Sequence, residues 1–347
     1  MKELYVMENK ILNVGVISCS NMAQSHMLAV KDHEQARLVA ICDVDEEKLR
    51  EAGEKLEVEA RYTDYRELIR HPGLDAVIIV TPDQLHREMV EASLAAGLHV
   101  LCEKPLALLR EDMEAIIAAG NASDRKLMVG QICRFTPGFV KAKELIDAGE
   151  LGEIYYVESE YAHDYHAILS ENGWRSDPNR NGVVGGGCHA VDLLRWIAGD
   201  PIEITAYANH KMLPIVPYDD CTIAIMRFEN DVIGKVFVST GCKRAYTMRS
   251  SFFGTKGTVV CDNTSPSITF YKAKEENPAQ LETHEIEVNI ANHNTFGEFR
   301  AFADAILNDK PVPTDAVQGA KTIAACMAIV DSANEHRTIV PDYNFGK

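Results

Sequence analysis

Short apolar runs rich in Val and Ile recur through the first 130 residues, each followed by a stretch with helical periodicity. The runs are Ile11–Ile17, Ala36–Cys42, Ala76–Val80, His99–Cys102 and Leu127–Val129. The stretches are Asn21–Lys31, Glu46–Leu56, Tyr65–Arg70, Gln84–Ala96 and Arg110–Ala119. This alternation leaves few solutions. Each helix must carry the chain back so that the next strand runs parallel to the last, by right-handed crossovers. The runs are apolar throughout rather than alternating, which suits a sheet covered on both faces. The prediction is an α/β fold opening with a doubly wound parallel sheet.

The pattern changes near residue 132. A helix over Pro137–Ala148 leads to a strand at Ile154–Tyr161, a Gly-rich polar loop at 170–187 and a helix over 189–198. Longer strands are expected at Glu203–Asn209, Asp220–Glu229, Val232–Thr240, Ser250–Gly254 and Thr258–Cys261, several joined by hairpin signals such as E-N-D and G-T-K-G. Helices at Thr295–Leu307 and Ala316–Glu335 close the chain. This reads as an α+β domain with an open, mostly antiparallel sheet. The expected division is 1–131 and 132–347, with no internal repeat.

A chain of 347 residues can bury the cores of two domains. Its net charge of −17 argues against nucleic acid or an anionic membrane as a partner. No apolar run is long enough to span a bilayer, and M-K-E-L-Y-V-M-E-N-K has no signal-peptide core. The nine cysteines form no C-x-x-C pair, and several sit in or beside apolar runs. They read as reduced thiols of a cytoplasmic protein, and no metal site is expected.

The first strand runs into G-V-I-S-C-S-N-M-A, residues 15 to 23. A dinucleotide-binding turn carries three glycines here: for the tight bend, for approach of the pyrophosphate, and for helix packing. This chain has Ser18, Ser20 and Ala23 instead. Serine hydroxyls can cap the helix or bond a phosphate oxygen, and the amides of Asn21 and Met22 open that helix. Asp43 ends the second run in A-I-C-D-V-D, where a carboxylate binds the ribose 2′-hydroxyl of NAD and repels the 2′-phosphate of NADP. A capping role before E-E-K-L is the alternative for Asp43.

Further patches follow strand ends, where open parallel sheets bind ligands. T-P-D-Q-L-H supplies Thr81, Pro82 and His86, and L-C-E-K-P-L supplies Glu103 and Lys104. G-W-R-S-D-P (173–178) and G-G-G-C-H-A-V-D-L-L-R-W (185–196) lie in the second half. With F-F-G-T-K-G-T (252–258) and H-N-T-F-G-E-F-R-A-F-A-D-A-I (293–306), they resemble the glucose–fructose oxidoreductase / inositol 2-dehydrogenase (Gfo/Idh/MocA) family over nearly the whole chain. The resemblance implies a Rossmann domain, then an α/β domain whose open sheet pairs between subunits as a homodimer or homotetramer. It implies NAD or NADP as cofactor and a sugar, sugar derivative or cyclitol as substrate. It places Lys104 near the nicotinamide and the reacting hydroxyl, and makes His189 the proton acceptor. The chemistry agrees, since hydride leaves a carbinol carbon only as the hydroxyl proton departs, and a nearby ammonium favours the developing oxyanion.

Many family members carry an Asp four residues before that histidine, and here the position is Gly185. The segment E-S-E-Y-A-H-D-Y-H offers His163 and Asp164 as a substitute partner for His189 or as ligands for substrate hydroxyls. Arg134, Trp174 and Arg175 are further candidates for substrate contact, and His293 is a weaker one. The expected function is an NAD(H)-dependent oxidoreductase. The alternatives are an NAD-dependent glycosidase acting by transient oxidation, and a non-enzymatic NAD-binding protein.

Overall fold

The computed structural model describes residues 10–169, 173–289 and 293–346. Residues 1–9 and residues 170–172 of the expected loop lie outside them. The chain divides into two compact units. One comprises Met1–Glu103, Glu114–Gly130 and Thr295–Ala316, and the other Lys104–Met113, Gln131–Asn294 and Val317–Lys347.

The first unit carries strands β1 (Leu12–Ile17), β2 (Ala36–Cys42), β3 (Ala60–Tyr62), β4 (Ala76–Ile79), β5 (His99–Glu103) and β6 (Leu127–Gly130). They form a parallel sheet in the order β3-β2-β1-β4-β5-β6. This is the doubly wound order, with its switch point between β1 and β4. Helices α1 (Asn21–Lys31), α2 (Glu46–Leu56), α3 (Tyr65–Leu68), α4 (His86–Ala95) and α5 (Arg110–Asn121) intervene. Apolar side chains of β1, β4 and β5 are almost wholly buried, as their unbroken apolar runs require. Helix α1 starts where Ser20, in extended conformation, accepts from the Ala23 amide at 3.4 Å. The short β3 was not anticipated, because three residues carry no periodicity.

The second unit opens its main body with α6 (Pro137–Asp147), β7 (Ile154–Ala162) and α7 (Cys188–Ala198). Strands β8 (Glu203–Asn209), β9 (Cys221–Arg227), β10 (Ile233–Ser239), β11 (Ser250–Gly254), β12 (Gly257–Cys261), β13 (Ser267–Ala273) and β14 (Leu281–Glu287) follow. The sheet order is β14-β13-β12-β11-β7-β10-β9-β8, antiparallel except for β7 beside β10. One face buries Val157, Ala224, Met226, Val236 and Val238, and α7 packs against β7 and β10. The opposite face leaves Tyr207, Ile223, Ile225 and Ile233 exposed. Strands β13 and β14 extend the expected sheet.

Helix α8 (Thr295–Leu307) belongs to the first unit and packs on α1. Helix α9 (Ala316–Glu335) follows it. Ahead of α9, Thr314 closes on β6: the Val129 amide donates to its carbonyl at 2.8 Å, and its hydroxyl donates to the Val129 carbonyl at 2.6 Å.

Candidate active site

In the first unit, the turn after β1 keeps the geometry of a dinucleotide turn without its glycines. Ser18 adopts φ 101°, a conformation that glycine takes without strain. Its amide donates to the Cys42 carbonyl at 2.7 Å, and its hydroxyl accepts from the Ser20 amide at 3.1 Å. Asp43 directly follows β2 beside the turn, its carboxylate accepting from the Cys19 amide at 2.6 Å and the Asp45 amide at 2.9 Å. Asp45, not Asp43, caps α2. Asn21 and Met22 form the first turn of α1 at the switch point. A positive-φ turn, a helix N-terminus and an anchored carboxylate at the end of β2 fit a bound NAD.

Elsewhere in this unit, Thr81 and Pro82 follow β4. The His86 ring is fully buried with Nε2 3.1 Å from the Thr81 carbonyl, so it holds the bend after the strand. Glu103 ends β5 nearly buried, 2.9 Å from Nε2 of the fully buried His26. Glu298 of α8 joins them, and ligand-bearing atoms of the three lie within 4.8 Å of one another. That is close enough to share a proton or a cation, and it was not legible from spacings of this length.

The second unit gathers Lys104, His189 and a set of aromatic rings. Lys104 Nζ lies 3.5 Å from the Gly185 carbonyl. Residues Val183–Gly187 form a π-helical turn leading into α7, in place of the open loop expected here. Gly185 and Gly186 serve close approach. A Cβ at 185 would lie 2.1 Å from Arg180 Nη1, and one at 186 would lie 2.4 Å from Tyr165 Oη. His189 sits in the first turn of α7 and is 5% exposed. It does not cap the helix, whose N-cap is Gly187.

The His189 ring stacks on Tyr161 at 6.0 Å and on His293 at 5.7 Å between centroids. Its Nδ1 is enclosed with no hydrogen-bond partner among the described residues. Burial is the main cause holding its pKa well below 6.5, and Lys104, His293 and His163 push the same way.

The neighbouring rings come from the end of β7. Past the strand the chain still runs beside β10, with the His163 amide donating to Ser239 and the Tyr165 amide to Thr240. Alternation therefore sends Tyr161, His163 and Tyr165 to one side. Tyr161 Oη lies 3.1 Å from His163 Nδ1 and 3.0 Å from Tyr165 Oη. Tyr246 Oη lies 3.1 Å from His293 Nε2. Burial lowers the His163 pKa as well.

Asp164 turns away from this group. It accepts from the His166 amide and ring and pairs with Lys243 at 3.2 Å, so its pKa is held down to about 2. Arg134 grips the buried Asp192 through two bonds of 2.8 and 2.7 Å. Trp174 is flanked by guanidinium groups, Arg175 at 4.1 Å and Arg180 at 4.8 Å from the ring centroid. Arg180, Tyr161, Tyr165 and Tyr246 were not singled out from sequence. The G-G-G run was the one available signal, since successive glycines mark places where other groups come close.

Residues 12–131 match the family model described as "Oxidoreductase family, NAD-binding Rossmann fold". Residues 139–260 match the GFO/IDH/MocA C-terminal domain. The myo-inositol 2-dehydrogenase of Thermotoga maritima is 31% identical over 262 residues, 73% of this chain and 75% of that protein. Inositol 2-dehydrogenase 2 of Saccharopolyspora erythraea is 28% identical over 273 residues, 77% of this chain and 78% of that one. Among solved structures, a levoglucosan dehydrogenase in complex with NADH and L-sorbose superposes with a TM-score of 0.88 at 23% identity. That superposition covers 96% of this chain and 99% of that one, and the likeness is one of fold.

Proposed function

Because the chain belongs to the GFO/IDH/MocA family of NAD-binding oxidoreductases, we propose that it moves a hydride between NAD(H) and a hydroxyl-bearing carbon of a sugar, sugar derivative or cyclitol. The observation that carries this reading is His189: a buried imidazole kept neutral beside the ammonium of Lys104. Bound NAD supplies the hydride acceptor. His189 takes the hydroxyl proton on Nε2, since Nδ1 is enclosed. Lys104 orients the hydroxyl and favours the charge that develops on its oxygen. Asp43 favours NAD over NADP through the ribose 2′-hydroxyl, and Ser18, Ser20, Asn21 and Met22 hold the pyrophosphate on the turn.

The boundary at 131/132 separates a nucleotide-binding domain from one for substrate binding and self-association, with Thr295–Ala316 returning to the first unit and Lys104–Met113 belonging to the second. The substrate-contacting set is Arg134, His163, Trp174, Arg175 and His189, with Thr81, Pro82, His86 and Glu103 on the cofactor side; Asp164, engaged with His166 and Lys243, is left out of it. Self-association as a dimer or tetramer is supported by the open sheet face with Ile223 and Ile225. A reducing, cytoplasmic setting is supported by nine cysteines, seven of them buried. Among the described residues, no helix is long and apolar enough to cross a membrane.

The test is NADH formation, read by absorbance, with NAD or NADP across a panel of polyols and sugars. His189→Asn should lower kcat by about 10²-fold or more. Equal turnover by H189N, or no nucleotide binding, would overturn the assignment.

A further inference from the structure

We propose that Tyr218 is a positioning residue for substrate binding, carried on a stiff loop between β8 and β9 that holds the turn bearing Trp174 and Arg175. This rests on the oxidoreductase reading above, in which that turn touches the substrate, and adds the part that sets its place. The Tyr218 hydroxyl donates to the Arg175 carbonyl at 2.7 Å, and Tyr218 itself is buried. Arg180, whose guanidinium lies 4.8 Å from the Trp174 ring centroid, also hydrogen-bonds this hydroxyl. The turn is a single 3₁₀ turn, Trp174–Ser176, closed by the Ser176 amide on the Gly173 carbonyl at 2.8 Å. None of its three residues is buried. With no core of its own, it takes its position from what grips it.

The loop, H-K-M-L-P-I-V-P-Y-D over residues 210–219, is stiff for reasons its sequence shows. Pro214 and Pro217 fix two of its φ angles. Leu213 and Val216 turn inward with Tyr218, while Met212 and Ile215 stay exposed. Asp220, just ahead of β9 and 1% exposed, anchors the other end. Its carboxylate accepts from the amides of Lys211, Met212 and Leu213 at 3.1, 2.6 and 2.8 Å. Its own amide donates to the Asn209 carbonyl, and its carbonyl accepts from the Thr240 amide, so the anchor is tied to the sheet. Charge-assisted bonds of this kind are stronger than neutral ones. Loss of the Tyr218 hydroxyl leaves ring and loop in place and frees the turn. Trp174 and Arg175 take no part in the proton transfer at His189. Misplacing them therefore weakens ground state and transition state alike, which raises KM and spares kcat.

The test is Tyr218→Phe in the full chain, which keeps the ring and removes the one donor. NADH formation is measured with myo-inositol, D-glucose, D-galactose and D-sorbitol. For each that reacts, KM should rise about three- to ten-fold in Y218F, which is what one hydrogen bond contributes, with kcat and the KM for NAD changed less than about two-fold. A second readout needs no turnover. The chain has two tryptophans, so in a Trp196→Phe background acrylamide quenching reports Trp174 alone. Quenching should increase when Y218F is added. Unchanged quenching overturns the claim that Tyr218 holds the turn. Increased quenching with an unchanged KM, or a loss confined to kcat, overturns its role in substrate binding and leaves the oxidoreductase reading intact. NADH from no substrate overturns that reading and the substrate role together. If Y218F loses its melting transition, Asp220→Asn, which loosens the loop from its other end, is read by the same two measurements.

Discussion

At Ser18 a side-chain-bearing residue holds a backbone angle of 101°. Left-handed conformations cost roughly 1–2 kcal/mol for such residues. Ser18→Gly should therefore raise the melting temperature by about 1–3 °C, after allowing for the greater unfolded-state freedom of glycine. A fall would show that the Ser18 hydroxyl, which accepts from Ser20, outweighs the strain. His189 carries the second residue-level prediction. It must be neutral to accept a proton, and its pKa lies well below 6.5. Hence kcat/KM should stay flat through neutrality and decline only on acidification past that value. A decline centred at or above 6.5 would show that the imidazole is not held neutral. Lys104 and His189 were legible because each sits in a short motif at an element end. Arg180 and the tyrosines were not, because their convergence depends on a glycine turn packing under a strand.

Among the elements, the π-helical turn before α7 is sensitive to added volume. A methyl at Gly186 would lie 2.4 Å from Tyr165 Oη and 2.5 Å from Tyr161 Cε1. Gly186→Ala should destabilise by about 1–3 kcal/mol, seen as a lower melting temperature. Strand β5 carries a pH dependence. Burial is the main cause lowering the His99 pKa to about 4, and Nδ1 accepts from the Lys126 amide at 2.9 Å. The unfolded imidazole binds its proton near 6.5. Between pH 6.5 and 4 the unfolded state holds more protons, so His99 makes stability fall as pH falls through that window. His99→Asn keeps an acceptor without titrating, and should flatten that part of a pH–melting curve. The boundaries of α1, α2, β2 and β8 coincide with those read from the sequence, because caps and apolar periodicity mark both ends. Strand β14 escaped notice because L-E-T-H-E-I-E is exposed on almost every residue, so no buried face imposes alternation.

For the whole molecule, the open face of the second sheet is the feature to test. Tyr207, Ile223 and Phe237 are cross-strand neighbours in one row, and Ile225 lies two residues from Ile223 on the same face. Ile225 is 61% exposed, more than an isolated soluble sheet needs to leave open. Ile225→Lys should shift sedimentation velocity toward the monomer while retaining the melting temperature of a folded chain. An unchanged oligomer would place self-association elsewhere. The two sheets also end differently. At β6 the amide and carbonyl of Val129 are both taken by Thr314, so a passing strand finds no free pairing groups at that residue. The other sheet ends at β14, whose rim repeats Glu282, Glu285 and Glu287. Like charges there would face one another if two copies aligned edge to edge. One border is thus closed to strand addition at Val129 by hydrogen bonds, and the other is guarded by repulsion. Replacing Glu282, Glu285 and Glu287 by Gln is the change after which this protein should begin to stack.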